Sequence, residues 1–349
     1  MPENAPAHLS LTFTPERCLK SIHRASTCQI CSDVCPSSAI DFLHVTPRLD
    51  TIKCTQCGAC ISQCPTDVFE STDICDEKLM TKISQKIEQK VKIVFTCKAM
   101  CLTIQDAIVL PCLLRLDTSW LQLIGIQSAS SIKLIHGRCE ACYTHGSKEI
   151  LEKRVAKANA DSLNFMPKIV ISSETSASPS LEEKINGISR QGHLRRRFLF
   201  NFLGKGDKES QQNILTAHAP LGIVQKFVDT SFKKQQRNRH IAQHLIQNNA
   251  PEQRVIGLMP CIDVKQCQAC SICIKVCPTN ALHVSLEEPL TIAFDALKCI
   301  ECHLCEDVCF ANAIVFCEKT LKDIHNGVIT LFHEEKTLFK EQKVVIFRT

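Results

Sequence analysis

Nothing in this chain approaches the roughly 18 consecutive apolar residues of a membrane span, so no segment is expected to cross a bilayer. The first 18 residues have no basic stretch followed by an apolar one. No export signal is therefore expected there, and the expected setting is a reducing cytoplasm in which thiols stay available. No nucleophile–base pair, phosphate-cradling loop or substrate motif is visible, so turnover by this chain alone is not expected. A formal charge of +5 comes with no finger signature and no basic motif interleaved with aromatics, which argues against nucleic-acid binding. About 44% of residues are apolar and 22% charged, which places the chain among ordinary globular proteins.

Cysteine is in excess, with 24 copies among 349 residues. Most fall two or three residues apart in tight groups. In a long chain such spacing points to metal binding more than to disulfides. The groups are an internal repeat: CQICSDVCP (28–36), CTQCGACISQCP (54–65), CQACSICIKVCP (267–278) and CIECHLCEDVCF (299–310). They occur as two pairs, one near each end.

Cysteines at i, i+3 and i+6 wrap three thiolates onto one cubane cluster, and the fourth, before Pro, reaches the neighbouring cluster. The C-terminal pair follows this pattern twice. It assigns Cys267, Cys270, Cys273 and Cys309 to one [4Fe–4S] site, and Cys299, Cys302, Cys305 and Cys277 to another. The N-terminal pair assigns Cys54, Cys57, Cys60 and Cys35 to a third. Its first run has Ala25 where the leading cysteine would fall, so Cys18 joins Cys28, Cys31 and Cys64 across a nine-residue insertion. Zinc also uses paired cysteines, but these runs are too closely spaced to act as separate zinc pairs. Each oxidised site carries about −2, and four would turn +5 into about −3. The basic balance is thus no argument for an acidic partner such as nucleic acid.

At these residues both ends resemble bacterial-type dicluster ferredoxins, over roughly 55 residues each. The resemblance implies βαβ-derived modules and electron transfer through [4Fe–4S] clusters. Two departures are the insertion after Cys18, which opens that site to a three-iron form, and Phe310 in place of Pro.

Between the modules, β-rich runs at 92–96, 107–110, 131–136 and 168–171 alternate with helix-compatible stretches at 82–91, 113–126 and 147–163. This pattern predicts a small α/β unit with a parallel sheet. Cys97, Cys112 and Cys139 come at or just past strand ends, the edge where open parallel sheets bind ligands. Cys101 and Cys142 lie close by in sequence. The segment resembles the iron–sulfur delta subunit of methyl-viologen-reducing hydrogenases, which implies a [2Fe–2S] cluster here. Two readings stand open: a fifth redox site, as [2Fe–2S] or dithiol/disulfide, and plain buried cysteines acting as small apolar residues. Cys75, Cys261 and Cys317 stand alone and read as structural.

The expected fold class is α+β: two dicluster modules flanking a small α/β domain and a basic helical linker. The expected boundaries are 8–75, 84–172, 173–250 for the linker, 251–319, and a β-rich tail over 320–349. Residues 184–240 hold twelve Lys/Arg against three acids. This reads as a solvated helical linker, with a docking surface for an acidic redox partner as the alternative. Arg195-Arg196-Arg197 is mid-chain with no apolar run after it, so it is not an export signal.

The expected function is relay of single electrons through four clusters, docked to or within a larger oxidoreductase system with redox partner proteins. Two alternatives are thiol–disulfide or heterodisulfide-type reduction at the middle cysteines, and an iron or redox sensor.

Overall fold

The computed structural model describes residues 11–73, 75–98, 104–128, 130–142, 147–163, 166–173, 214–215, 232–285 and 291–333. Cys101, the Arg195–Arg197 run and the strand-like run at 344–347 lie outside them.

The middle unit is a four-stranded parallel sheet. Its order is Ile108–Leu110, Ile93–Cys97, Ile132–His136, Ile169–Ser173. The β-branched runs form it because both faces are covered, and Ile93, Phe95, Leu110, Ile132 and Leu134 have essentially no exposure. The helix expected from 113 begins later, as Thr118–Gln127. Asp117 caps it by accepting the Trp120 N–H at 2.8 Å, and Leu113–Arg115 forms a separate 3-10 turn. A short polar cap overrode the apolar spacing that suggested one continuous helix.

The two ends share an architecture. At the N-terminal end, Leu11–Phe13 pairs antiparallel with Phe69–Ser71, and Ile40–Leu43 pairs with Thr46–Asp50. At the C-terminal end, Val255–Ile262 pairs with Ile314–Thr320, and Leu282–Ser285 with Thr291–Asp295. Cysteine loops and one-turn helices sit between these strands.

Three expectations need correction. The tail is not a separate element over its described part. Helix Leu321–His325 starts on a reciprocal cap between Thr320 and Asp323, and strand Val328–His333 then adds to Thr291–Asp295. Cys261 and Cys317 do not stand alone. They are 56 residues apart and form a disulfide across the antiparallel pair that brings them together. The described part of the basic segment is not a solvated helix either. Helix Lys233–Gln247 packs on helix Thr118–Gln127, with Ile241 and Leu245 buried against Leu123, Ile126 and Leu321.

That helix spends its charge inside the molecule. Lys233 Nζ meets Glu70 at 3.1 Å, and Lys234 Nζ meets Glu301 at 3.6 Å. Arg237 donates to Asp76 Oδ2 at 2.8 Å and Ser119 Oγ at 3.0 Å, and lies over the Trp120 ring. Asp67 accepts the Lys233 backbone N–H at 2.8 Å and satisfies the helix start. One helix therefore touches the N-terminal module, the middle sheet and the C-terminal module.

Candidate metal centres

Each cysteine run begins as a loop that must turn tightly to present successive thiols inward. The backbone does this with left-handed residues at fixed offsets. Two residues past the leading cysteine stand Gln56 (φ 54°), Ala269 (53°) and Glu301 (54°). Four residues past it stand Gly58 (80°), Ser271 (60°) and His303 (60°). Three past the last cysteine stand Ser38 (48°), Asp67 (52°), Asn280 (53°) and Asn312 (48°). Short polar side chains tolerate this region, which explains the Ser, Asp and Asn at that offset in all four runs. The run with Ala25 lacks the first two features, since Gln29 has φ −141°. Its leading loop is replaced by the Pro15–Arg17 turn and helix Leu19–Ile22, with Cys18 at the junction.

Those turns aim backbone N–H groups at sulfur. Ala39 donates to Cys35 Sγ at 3.3 Å, Val68 to Cys64 at 3.4 Å, and Ala313 to Cys309 at 3.3 Å. Ala269 donates to Cys267 at 3.5 Å and Glu301 to Cys299 at 3.4 Å. Three runs continue Cys-Pro-Ser/Thr, and there a hydroxyl lies by the last sulfur: Ser37 at 3.6 Å from Cys35, Thr66 at 3.8 Å from Cys64, Thr279 at 3.7 Å from Cys277. The fourth run has Phe310 and Ala311 instead, with Phe310 exposed.

Most of the thiols of each module share one core. Cys18, Cys28, Cys31 and Cys64 line one cavity with Leu19, Phe42, Val68 and Phe69. Burial pushes the Cys31 thiol up, and Cys64, Cys18 and Cys28 add to it. Around Cys54, burial acts first and then Cys57 and Cys35; Cys60 feels Cys57, Cys54, Cys31 and Cys35. Cys273 is raised to about 12 by burial, then by Cys267, Cys270 and, more weakly, Cys309. Burial raises Cys305, and Cys302, Cys299, Cys277 and Cys273 follow. In each module, cysteines of one run thus act on cysteines of the other.

Donor chemistry and surroundings fit an iron–sulfur cluster. Each set offers four soft sulfurs in an apolar wall with N–H donors already aimed. Lysines offset the charge such a site would carry: Lys20 acts on Cys18 and Cys28, Lys234 on Cys302 and Lys319 on Cys299. Among the described residues no three Cys, His, Asp or Glu close on a point suited to a single ion.

The middle cysteines also converge. Burial raises Cys112 to about 12, with Cys57, Cys97 and Cys142 adding repulsion. Cys139 is raised by burial first, then by Cys97 and Cys142, and its Sγ is 3.6 Å from His136 Nδ1. The sheet brings Cys97, Cys112, Cys139 and Cys142 to its C-terminal edge. Cys75 precedes helix Asp76–Glu88 and joins none of these sets.

Sequence reasoning missed the buried cations beside these sites. Arg115 is 1% exposed and ion-pairs with Asp76, and its Cδ occupies the space a side chain at Gly58 would need, inside the Cys57–Cys60 loop. Arg154 is buried near Cys112 and Cys57 and donates to the Leu114 carbonyl at 2.7 Å. A single Arg between helix residues carries no spacing signal, so neither was legible.

Comparison with known proteins agrees with the geometry at both ends. The 4Fe-4S dicluster domain family matches residues 24–68, and the 4Fe-4S binding domain family matches residues 292–315. The chain therefore carries two ferredoxin-type 4Fe–4S domains, in a mixed helix and strand fold. The first match starts after Cys18, and the second covers the run from Cys299 to Cys309 but not that from Cys267 to Cys277. Neither reaches the middle sheet, so the resemblance of that segment to the hydrogenase delta subunit gains nothing from them. No curated protein and no solved structure matches the chain. No helix among the described residues is long and apolar enough to cross a membrane.

Proposed function

We propose that the chain is an electron carrier with four [4Fe–4S] clusters. The ligand sets are Cys18/Cys28/Cys31/Cys64, Cys35/Cys54/Cys57/Cys60, Cys277/Cys299/Cys302/Cys305 and Cys267/Cys270/Cys273/Cys309. Bound clusters would supply one-electron chemistry. The chain's own residues hold the thiols, exclude water and aim N–H and O–H groups at sulfur. The observation that carries the reading is the recurrence of the N–H···S contact four residues past the last cysteine in three of the four runs. It works with redox partner proteins in the cytoplasm, as part of or docked to a larger oxidoreductase system. The test is low-temperature EPR of anaerobic protein before and after dithionite. Reversible signals integrating to about four spins per chain support it. A chromophore-free protein with no signal in either state removes it.

A second reading concerns Cys97, Cys112, Cys139 and Cys142, and rests on their convergence at one sheet edge. We propose a fifth redox site there, a [2Fe–2S] cluster or a dithiol/disulfide pair, in keeping with the resemblance to the hydrogenase delta subunit. Replacing Cys112 by Ser lowers iron by about two atoms in the first case and changes the thiol titre beyond the lost residue in the second. Iron content and remaining thiol reactivity both unchanged would refute the fifth site.

A further inference from the structure

The two modules meet along an apolar seam. Leu19 and Ile22 of the N-terminal module pack with Val276, Leu304, Val308 and Ile272 of the C-terminal one, and Leu19, Val276 and Leu304 are no more than 3% exposed. Cys28 and Cys302 lie in the same cluster of side chains. At its rim, Thr27 clamps Asp307, with its N–H and its hydroxyl each donating at 2.9 Å to one carboxylate oxygen. These contacts join positions 280 residues apart in sequence. They bring the Cys18/Cys28/Cys31/Cys64 set against the Cys277/Cys299/Cys302/Cys305 set.

The remaining adjacencies follow from shared cores. Cys18, Cys31 and Cys64 pack in one cluster with Cys35, Cys54 and Cys60. Cys273, Cys299 and Cys305 pack in another with Cys267, Cys277 and Cys309. Cys57 belongs to the core of the middle sheet with Cys97 and Cys112. Cys270, at the opposite extreme, is exposed.

We propose that the seam joins the two modules into one redox unit whose ligand sets follow a fixed order. The order runs from Cys35/Cys54/Cys57/Cys60, against the middle sheet, to Cys18/Cys28/Cys31/Cys64. It then crosses the seam to Cys277/Cys299/Cys302/Cys305 and ends at Cys267/Cys270/Cys273/Cys309, where Cys270 meets solvent. The inference rests on the reading of these cysteines as cluster ligands. Exchange between neighbours is balanced within the chain: one site loses an electron, the next gains it, and no bond or proton changes. The first electron comes from an external one-electron reductant. Electron transfer weakens steeply with separation, so the seam residues act by position. An apolar contact also keeps the surroundings from rearranging around a moving charge.

The test leaves one set in each module. The full chain carrying C57S, C60S, C267S and C270S keeps only the two sets that face each other, and about eight iron atoms. Dithionite reduction should give about two spins, with an EPR signal broadened or split relative to the half-reduced sample and harder to saturate with power. About two spins with unchanged line shape and saturation would overturn the order. Well under eight iron would overturn the ligand reading, and the proposal with it. A second variant, Val308→Asp, keeps all sixteen proposed ligands and charges the seam. With iron retained, its fully reduced spectrum should lose part of the broadening of the parent, and an identical spectrum would overturn the proposal.

Discussion

Replacing Asp76 by Ala should be among the most damaging changes outside the cysteines. Its carboxylate faces two buried guanidiniums, Arg115 and Arg237, which are 1% and 6% exposed. Arg237 would keep Asp117 at 3.5 Å, Ser119 and the Ser62 carbonyl. Arg115 has no such reserve, because its Nε and Nη1 meet no acceptor among the described residues. Leaving one buried cation uncompensated costs about 3–5 kcal/mol, so Asp76→Ala should lower unfolding free energy by about 4 kcal/mol, roughly a thousandfold in the equilibrium. Anaerobic urea unfolding followed by circular dichroism measures it, since urea does not screen charge. Because Arg115 fills the space beside Gly58, iron release to a chelator should also quicken first at the Cys57 loop. The double change Asp76→Leu, Arg115→Met should recover most of the loss, since Arg115 is then not left as an unpaired cation and Arg237 keeps Asp117. A loss under about 1 kcal/mol for Asp76→Ala would refute the argument.

The pH dependence of this pair has a defined sign. Burial raises the Asp76 carboxyl, but Arg115 and Arg237 together outweigh it and hold it below its ordinary 3.8. A depressed carboxyl contributes stability above its unfolded value and loses it as pH falls through the folded value. The difference between parent and Asp76→Asn should therefore stay constant from pH 7 to about 5 and shrink below about 4.

Gly58→Ala should destabilise by about 1–3 kcal/mol in urea, because φ is +80° and the new methyl would sit 2.8 Å from Arg115 Cδ. Thr279→Val removes the hydroxyl beside Cys277. If that contact is worth about 0.5–1.5 kcal/mol, the potential of its site should fall by about 20–60 mV in an EPR-monitored titration. Ala311→Thr should raise the potential of the Cys309 site, which lacks such a donor. Cys18→Ser should lower iron by between about one and four atoms from one site alone, with the reduced signals of the other three intact. Loss of iron from both modules would contradict the ligand set.

Much of this was legible because cysteine spacing and β-branched runs are local signals. The runs at 92–96, 107–110, 131–136 and 168–171 became strands since each pairs burial with β propensity. The position of Cys97 and Cys112 at or just past strand ends was legible too. What was hidden depends on distant partners. Lys233, Lys234 and Arg237 read as a solvated charge run because their acids, Glu70, Glu301 and Asp76, lie on three other elements. The Cys261–Cys317 bond carries no spacing cue, and the seam at Leu19 and Leu304 joins two apolar residues that each read as ordinary core.

The most direct measurement is iron, acid-labile sulfide and zinc on anaerobically purified full-length protein. The account predicts about 16 iron and about 16 sulfide per chain, and about two more of each where the middle set holds a [2Fe–2S] cluster. Stoichiometric zinc without sulfide would contradict it and leave these cysteines as structural ligands.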